Sequence, residues 1–205
     1  AAVIALIDYG AGNLTSVRKA LSALGTDFVV PDAPGALAQA AGIIVPGVGH
    51  FEATRRIDES WRTAIQSALD RGVALFGICL GMQWLFEGSD EAPEVQGLGV
   101  IPGRITRLQN RPDQGIKVPH VGWNALDFRG EARLLAGLQP GAQVYFTHSY
   151  AAPVTPECAA ATTHGATFAS VVERGHVFGV QFHPEKSSDA GLQILRNFLA
   201  GVAAC

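Results

Sequence analysis

The stretch Val73-Ala-Leu-Phe-Gly-Ile-Cys-Leu-Gly-Met-Gln83 constrains this chain more than any other. An apolar, β-prone run from Val73 to Ile78 delivers Cys79 into Gly77-Ile-Cys-Leu-Gly81, and a helix-favouring segment follows at once. A buried strand that turns sharply into a helix needs glycines where a Cβ would clash, and it lifts the central side chain to the carboxyl edge of the sheet. The pattern is that of a nucleophile elbow with sulfur in place of oxygen. The helix after it would aim its first N–H groups at the sulfur, favouring thiolate over thiol. Free cysteine is also commonly buried as a small apolar side chain, so the pentapeptide by itself leaves both readings of Cys79 open.

The chain around this elbow alternates. Val3 to Ile7 reads as a strand and Asp8 to Asn13 as a turn. Leu14, Val17, Leu21 and Leu24 then recur at helical spacing, with Asn13 as N-cap and Gly25 as the stop. Phe28 to Val30 predicts a second strand, Ala36 to Ala41 a short helix and Gly42 to Pro46 a third strand. Ile57, Trp61, Ile65, Ala68 and Leu69 predict the next helix, and strand four is Val73 to Ile78. Such alternation is the signature of a parallel sheet covered on both faces with right-handed crossovers.

Beyond Glu87 the pattern changes. Gly97 to Leu108, Val118 to Phe128 and Ala142 to Tyr150 hold short β-like runs between turns, with helical periodicity only around Ala132 to Leu138. Thr167 to Val172 and Val177 to Phe182 read as a strand pair joined by Glu173 to His176, and a final helix follows with Ser188 as its cap. The expected fold class is therefore α/β: a mostly parallel central sheet flanked by helices, with additional antiparallel strands in the second half. Hydrophobic residues make up 48% and charged residues 16% of the 205, with no repeat, linker or low-complexity tract, so a single domain over residues 1–205 is expected.

A net charge of −3 with scattered Lys and Arg gives no footprint for nucleic acid or an anionic membrane, and neither is expected as a partner. The longest apolar stretch, Val73 to Phe86, is shorter than the roughly 20 residues that span a bilayer. Three cysteines, at 79, 158 and 205, have no metal-type spacing, and an odd count without a secretory leader points to a reducing, cytoplasmic setting. Cys158 and Cys205 read as structural or incidental thiols. Gly10-Ala-Gly12 lacks the third glycine of a dinucleotide loop, Thr15 standing in its place, and the histidines form no zinc-type pattern. Neither a cofactor nor a metal is expected.

A cysteine nucleophile needs a base, and the base needs an orienting group. His183 ends the apolar run Val177 to Phe182. In extended chain His183 and Glu185 would lie on one side, with Pro184 stiffening the backbone between them. An oxyanion hole requires backbone N–H groups in a preorganised loop. The N–H of Leu80 is one, and Pro46-Gly-Val-Gly49, which follows the strand beside the elbow, offers a second.

With Cys79 in its turn, Pro46-Gly-Val-Gly49 before it and His183-Pro-Glu185 downstream, the chain resembles the class I glutamine amidotransferases. Asp8-Tyr-Gly-Ala-Gly-Asn-Leu14, Pro46-Gly-Val-Gly-His-Phe51, His120-Val-Gly-Trp-Asn124, Tyr145-Phe-Thr-His-Ser-Tyr150 and Gln181-Phe-His-Pro-Glu-Lys-Ser187 look closest to the glutaminase-subunit branch that serves imidazole glycerol phosphate synthases. Thr147 departs from the more apolar residue expected in its block. The resemblance implies a Cys79, His183, Glu185 triad, an oxyanion hole framed by Gly49 and Leu80, and glutamine held by Gln83, Glu91, Ser149 and Tyr150. It also implies a partner, a (β/α)₈-barrel cyclase that receives the ammonia in a heterodimer. Asp8 to Asn13, His120 to Asn124 and Lys186 are the expected partner-facing turns, and the Val48–Gly49 peptide is the expected point of partner control. Two other readings compete: a glutaminase of pyridoxal phosphate or purine synthesis, and a thiol hydrolase or stress protein on the same sheet. The His183 and Glu185 pair counts against the latter.

Overall fold

The computed structural model of the chain describes residues 2–204, so Cys205 lies outside the described residues. The first half runs β1 (Ile4–Leu6), α1 (Leu14–Ala23), β2 (Phe28–Val29), β3 (Gly42–Val45), α2 (Glu59–Asp70), β4 (Ala74–Ile78) and α3 (Leu80–Trp84). The second half adds β5 (Gly88–Ser89), β6 (Arg104–Arg107), β7 (His120–Ala125), β8 (Asp127–Phe128), β9 (Gln143–His148), β10 (Tyr150–Ala151), β11 (Cys158–His164), β12 (Ala166–Arg174), β13 (Val177–Val180) and α4 (Ser188–Ala203).

Eight strands form the central sheet in the order β2-β1-β3-β4-β13-β12-β11-β8. From β2 through β13 the neighbours are parallel, and the rest are antiparallel. A mixed sheet with helices on both faces is the α/β architecture that the residue pattern predicts.

Period-2 alternation decides which helix covers which face. Ile4, Leu6, Ile44, Phe76, Ile78, Phe178 and Val180 pack with Val17 and Leu21 of α1 and with Ile194, Leu195 and Phe198 of α4. Their neighbours Ala5, Ile7, Ile43, Val45 and Leu75 pack with Ile65 and Leu69 of α2 and with Met82 and Trp84 of α3. Phe76 and Phe198 meet edge to face with centroids 5.0 Å apart. Removing either ring would cost about 3–5 kcal/mol in transfer and cavity terms.

Several local expectations give way to tertiary contacts. The short helix at Ala36 to Ala41 is a 3-10 turn at Pro34–Gln39, and the periodicity near Ala132 to Leu138 yields only a 3-10 turn at Arg133–Leu135. Asn13 precedes α1 but makes no capping bond, because its side chain is used elsewhere. Ser188 is the first residue of α4 rather than its cap. The residue before it, Ser187, turns its hydroxyl to the His183 carbonyl at 2.6 Å. The hairpin β11–β12 adds a long strand at Cys158–His164 that the turn signals did not mark. Asp58 caps α2, accepting from the N–H groups of Ser60 and Trp61.

Candidate active site

Two adjacent parallel strands bring the chemistry together. β4 and β13 pair in register, Ile78 opposite Val180, so the residues just past their carboxyl ends, Cys79 and His183, emerge at the same edge. The Cys79 N–H donates to the Val180 carbonyl at 2.8 Å. Cys79 itself has φ 54° and ψ −109°, a conformation that costs a non-glycine residue about 1–3 kcal/mol and persists only where its surroundings enforce it. The glycines of the elbow show the enforcement. A Cβ on Gly77 would meet the Gly81 carbonyl oxygen at 2.6 Å, and one on Gly81 would overlap the Val45 carbonyl oxygen of β3.

His183 and Glu185 form a buried pair. Nδ1 of His183 is 2.7 Å from Oε1 of Glu185, and both side chains are 1% exposed. A 3-10 turn over Pro184–Lys186 makes this contact, rather than the extended chain expected from the sequence. The other ring nitrogen, Nε2, is buried without a hydrogen-bond partner among the described residues, and the ring interacts with the Cys79 sulfur. Burial disfavours the imidazolium, but the Cys79 sulfur and the Glu185 carboxylate outweigh it and push the His183 pKa up to about 10. A thiol beside an imidazole that favours its charged form is suited to thiolate chemistry.

Above this pair lies a cleft of about 300 Å³, lined by Val48, Gly49, Cys79, Leu80, Gln83, Glu91, Pro119, Thr147, His148, Ser149 and Tyr150. Every residue singled out for the oxyanion hole and for glutamine is therefore in one cavity, with Cys79. Their own contacts refine the expectation. Gln83 is 5% exposed, and its amide donates at 3.0 Å both to the Tyr150 carbonyl and to Oε1 of Gln181. Glu91 accepts from the Phe51 N–H at 2.6 Å, and the Ser149 carbonyl accepts from the Leu108 N–H at 2.8 Å. The Leu80 N–H, expected to face the oxyanion, donates to the Gly47 carbonyl at 3.2 Å.

The loop after β1 touches both halves of the site. Asn13 donates to Oε1 of Glu185 at 2.6 Å and approaches Nδ1 of His183 at 3.4 Å. The Tyr9 hydroxyl donates to the Pro46 carbonyl, and the Val48 N–H donates to the Ala11 carbonyl at 2.9 Å. Burial, with charge on Cys79 added, holds the Tyr9 pKa far above its ordinary value, so the phenol stays a neutral donor.

Two neutral histidines stand at the cleft, His148 in its lining and His120 behind it. Nδ1 of His148 is 2.8 Å from the Tyr150 carbonyl, and its Nε2 is 2.9 Å from Nδ1 of His120. Asn124 approaches Nε2 of His120 at 3.3 Å. Since a carbonyl only accepts, His148 carries its proton on Nδ1 and His120 donates to it in turn. The stretch His120 to Asn124, expected to be a partner-facing turn, lies instead in strand β7, whose pleat buries His120 to 4% exposed and leaves Val121 and Trp123 57% and 51% exposed. Trp123 lies edge to face with Tyr145 on β9, centroids 6.1 Å apart.

The sequence assigns Asn13, Gln181 and His148 no role in the site, Asn13 being expected only as a cap and in a partner-facing turn. The one local signal was Gln181, a polar residue in the apolar run Val177 to Phe182. Among the described residues no group of three or more His, Cys, Asp and Glu has the arrangement of a metal site, and no helix is long and apolar enough to cross a membrane.

Residues 5–202 match the family described as glutamine amidotransferase class-I. The chain is 48% identical over 199 residues to imidazole glycerol phosphate synthase subunit HisH of Moorella thermoacetica, covering 95% of this chain and 93% of that protein. It is 50% identical over 198 residues to the subunit of the same name from Xanthomonas euvesicatoria pv. vesicatoria, covering 96% of each. Among solved structures, one described as a glutamine amidotransferase superposes with a TM-score of 0.75 at 20% identity, covering 97% of this chain and 98% of that one. A chain of PurLQS from Thermotoga maritima gives a TM-score of 0.71 at 19% identity, covering 98% and 99%. These two likenesses speak to fold alone. On the family match and the near full-length relatives, the chain belongs to the class-I glutamine amidotransferases, in the branch of the HisH subunits of imidazole glycerol phosphate synthase.

Proposed function

We propose that this chain, as one domain over residues 1–205, is the glutaminase subunit of an imidazole glycerol phosphate synthase. It hydrolyses glutamine to glutamate and ammonia and passes the ammonia to a (β/α)₈-barrel cyclase that makes imidazole glycerol phosphate in histidine biosynthesis, in the cytoplasm. The observation that carries this reading is the placement of Cys79 between the buried His183–Glu185 pair and the cleft that Gln83, Glu91, Ser149 and Tyr150 share.

In this mechanism the Cys79 thiolate attacks the carboxamide carbon of glutamine, and the carbonyl oxygen takes up the negative charge. His183 gives its proton to the departing nitrogen, so ammonia leaves and a glutamyl thioester remains. Water then attacks the thioester, His183 takes the proton from that water, and glutamate leaves as the thiolate is restored. Glu185 orients the imidazole and stabilises its charge. Glu91 supplies an anion for the substrate ammonium, and Gln83 with the Ser149 and Tyr150 backbone completes the amino-acid site.

The oxyanion hole, from the N–H groups of Gly49 and Leu80, is the point of control. The bond from Leu80 N–H to the Gly47 carbonyl uses one of these donors. Rearrangement of Gly47 to Gly49 is required to free it, and binding of the cyclase is the event that drives that change. The exposed side chains of Val121, Trp123 and Lys186 supply the docking surface together with the loop from Asp8 to Asn13.

Replacement of Cys79 by Ala or Ser tests the reading in the assembled complex. Glutamine-driven cyclisation should vanish, while cyclisation fed with free ammonia continues at the parent rate. Loss of both activities would sink the proposed division of labour.

A further inference from the structure

Gln181 follows β13 and is 0% exposed. A buried amide is costly unless both of its ends are partnered, so the direction it faces carries information. The Tyr150 carbonyl can only accept, so the Gln83 atom 3.0 Å from it is the amide nitrogen. That nitrogen also lies 3.0 Å from the amide of Gln181, which must present its oxygen there. The polarity of Gln181 is thereby fixed: its NH₂ group is turned to Cys79, with Nε2 at 3.6 Å from Sγ. His148 grips the same Tyr150 carbonyl at 2.8 Å and so anchors the start of this chain of amides.

The geometry points to Gln181 as a further catalytic residue, one that donates a hydrogen bond to the Cys79 sulfur and holds it as a directed thiolate. This rests on the reading of Cys79 as the nucleophile. A donor aimed at sulfur is strongest when the sulfur is an anion, so Gln181 favours the thiolate before attack and again when it is expelled from the acyl intermediate. In the thioester the sulfur is neutral and the bond weakens. The contribution therefore falls on turnover and on thiol ionisation, and not on glutamine binding. Unlike His183, an amide cannot exchange a proton with the sulfur, so Gln181 and His183 act on it in separate ways.

Gln181→Met removes the donor at similar length. Two measurements on the full chain decide the matter: steady-state glutamine hydrolysis in the presence of the cyclase subunit, and the pH profile of iodoacetamide alkylation followed at the Cys79 peptide. The variant should lose ~10- to 100-fold in kcat with KM changed by less than about threefold. Its alkylation inflection should move up by about one to two pH units. A folded Gln181→Met chain with parent kcat and parent inflection overturns the proposal. Should that variant fail to fold, Gln83→Met leaves Gln181 in place but frees its amide to turn. The inflection should then rise as well, and an unchanged inflection overturns the proposal. Cys79→Ala separates the two levels of inference. An active Cys79→Ala chain refutes the nucleophile itself, whereas an inactive one beside a normal Gln181→Met refutes only the role of Gln181.

Discussion

The side-chain amide of Asn13 donates to Oε1 of Glu185 at 2.6 Å, although the two residues lie 172 positions apart in the chain. The same oxygen is 2.7 Å from Nδ1 of His183, so Asn13 and His183 share one carboxylate oxygen in a site where the Glu185 side chain is 1% exposed. Asn13 therefore fixes the carboxylate that fixes the imidazole. Its backbone has φ 63°, a region that asparagine and glycine tolerate.

Asn13→Gly keeps that backbone and deletes only the amide. A hydrogen bond to a charged group contributes about 1.5–3 kcal/mol, so a kcat for glutamine hydrolysis lower by roughly tenfold or more is expected, with KM little changed. Steady-state kinetics with the partner subunit present measure it, and parent kcat would show that Glu185 needs no second anchor.

The side chains legible in the sequence are those whose reason is local. Gly77 and Gly81 are required by the turn itself, and the backbone atoms a Cβ would strike confirm why no other residue stands there. His183 and Glu185 are close in sequence, and their pairing survives even though a 3-10 turn replaces the extended geometry expected. The sequence does not assign Asn13 and Gln181 to the site, because their partners depend on strand order. Only when β13 lies beside β4, with β1 beyond β3, do residues 13, 79, 181 and 185 converge. The strand Cys158–His164 was missed for a different reason: its Ala- and Thr-rich run has little of the bulky branched or aromatic character that marks a buried strand.

Gly81→Ala should be far more damaging than an alanine in a helix ordinarily is. Its methyl would overlap the Val45 carbonyl oxygen, a backbone atom of the neighbouring strand that cannot rotate away. Overpacking of this kind costs typically about 1–3 kcal/mol and more where backbone must move. Urea denaturation should show a midpoint well below that of the parent. Glutamine hydrolysis should fall as well, because the shift displaces Cys79. A midpoint equal to the parent's would mean that the elbow has slack the close approach denies.

His183→Ala and Glu185→Ala should differ in degree. The first removes the proton carrier between sulfur and nitrogen, while the second removes only its orientation and charge support. Glutamine-driven kcat should therefore fall by on the order of 10³-fold or more for His183→Ala and by a smaller factor for Glu185→Ala. Equal losses would indicate that the pair acts as one unit, and a silent Glu185→Ala would remove Glu185 from the chemistry.

His148 should make the protein acid-sensitive. Its pKa is lowered from 6.5 to about 4, chiefly by burial, against a partial rise from its bond to the Tyr150 carbonyl and with smaller lowering by the neighbouring His164 and His183. His120, stacked on His164 with centroids 4.1 Å apart, is lowered to about 3 by burial and then by His148 and His164. In both cases the native ring resists protonation that the unfolded chain accepts. Their contribution is thus fully present above about pH 6.5 and is lost as pH falls toward 4 for His148 and toward 3 for His120, by on the order of 3 kcal/mol for His148 alone. His183 runs the other way: with its pKa raised to about 10, its contribution is complete below pH 6.5 and is lost as pH climbs toward 10. Urea unfolding of the parent and of His148→Gln across pH 4 to 7 isolates the contribution of His148, since carboxylates common to both cancel in the difference. The parent should lose stability faster than the variant on acidification, and parallel curves would show that His148 titrates alike in the folded and unfolded chain.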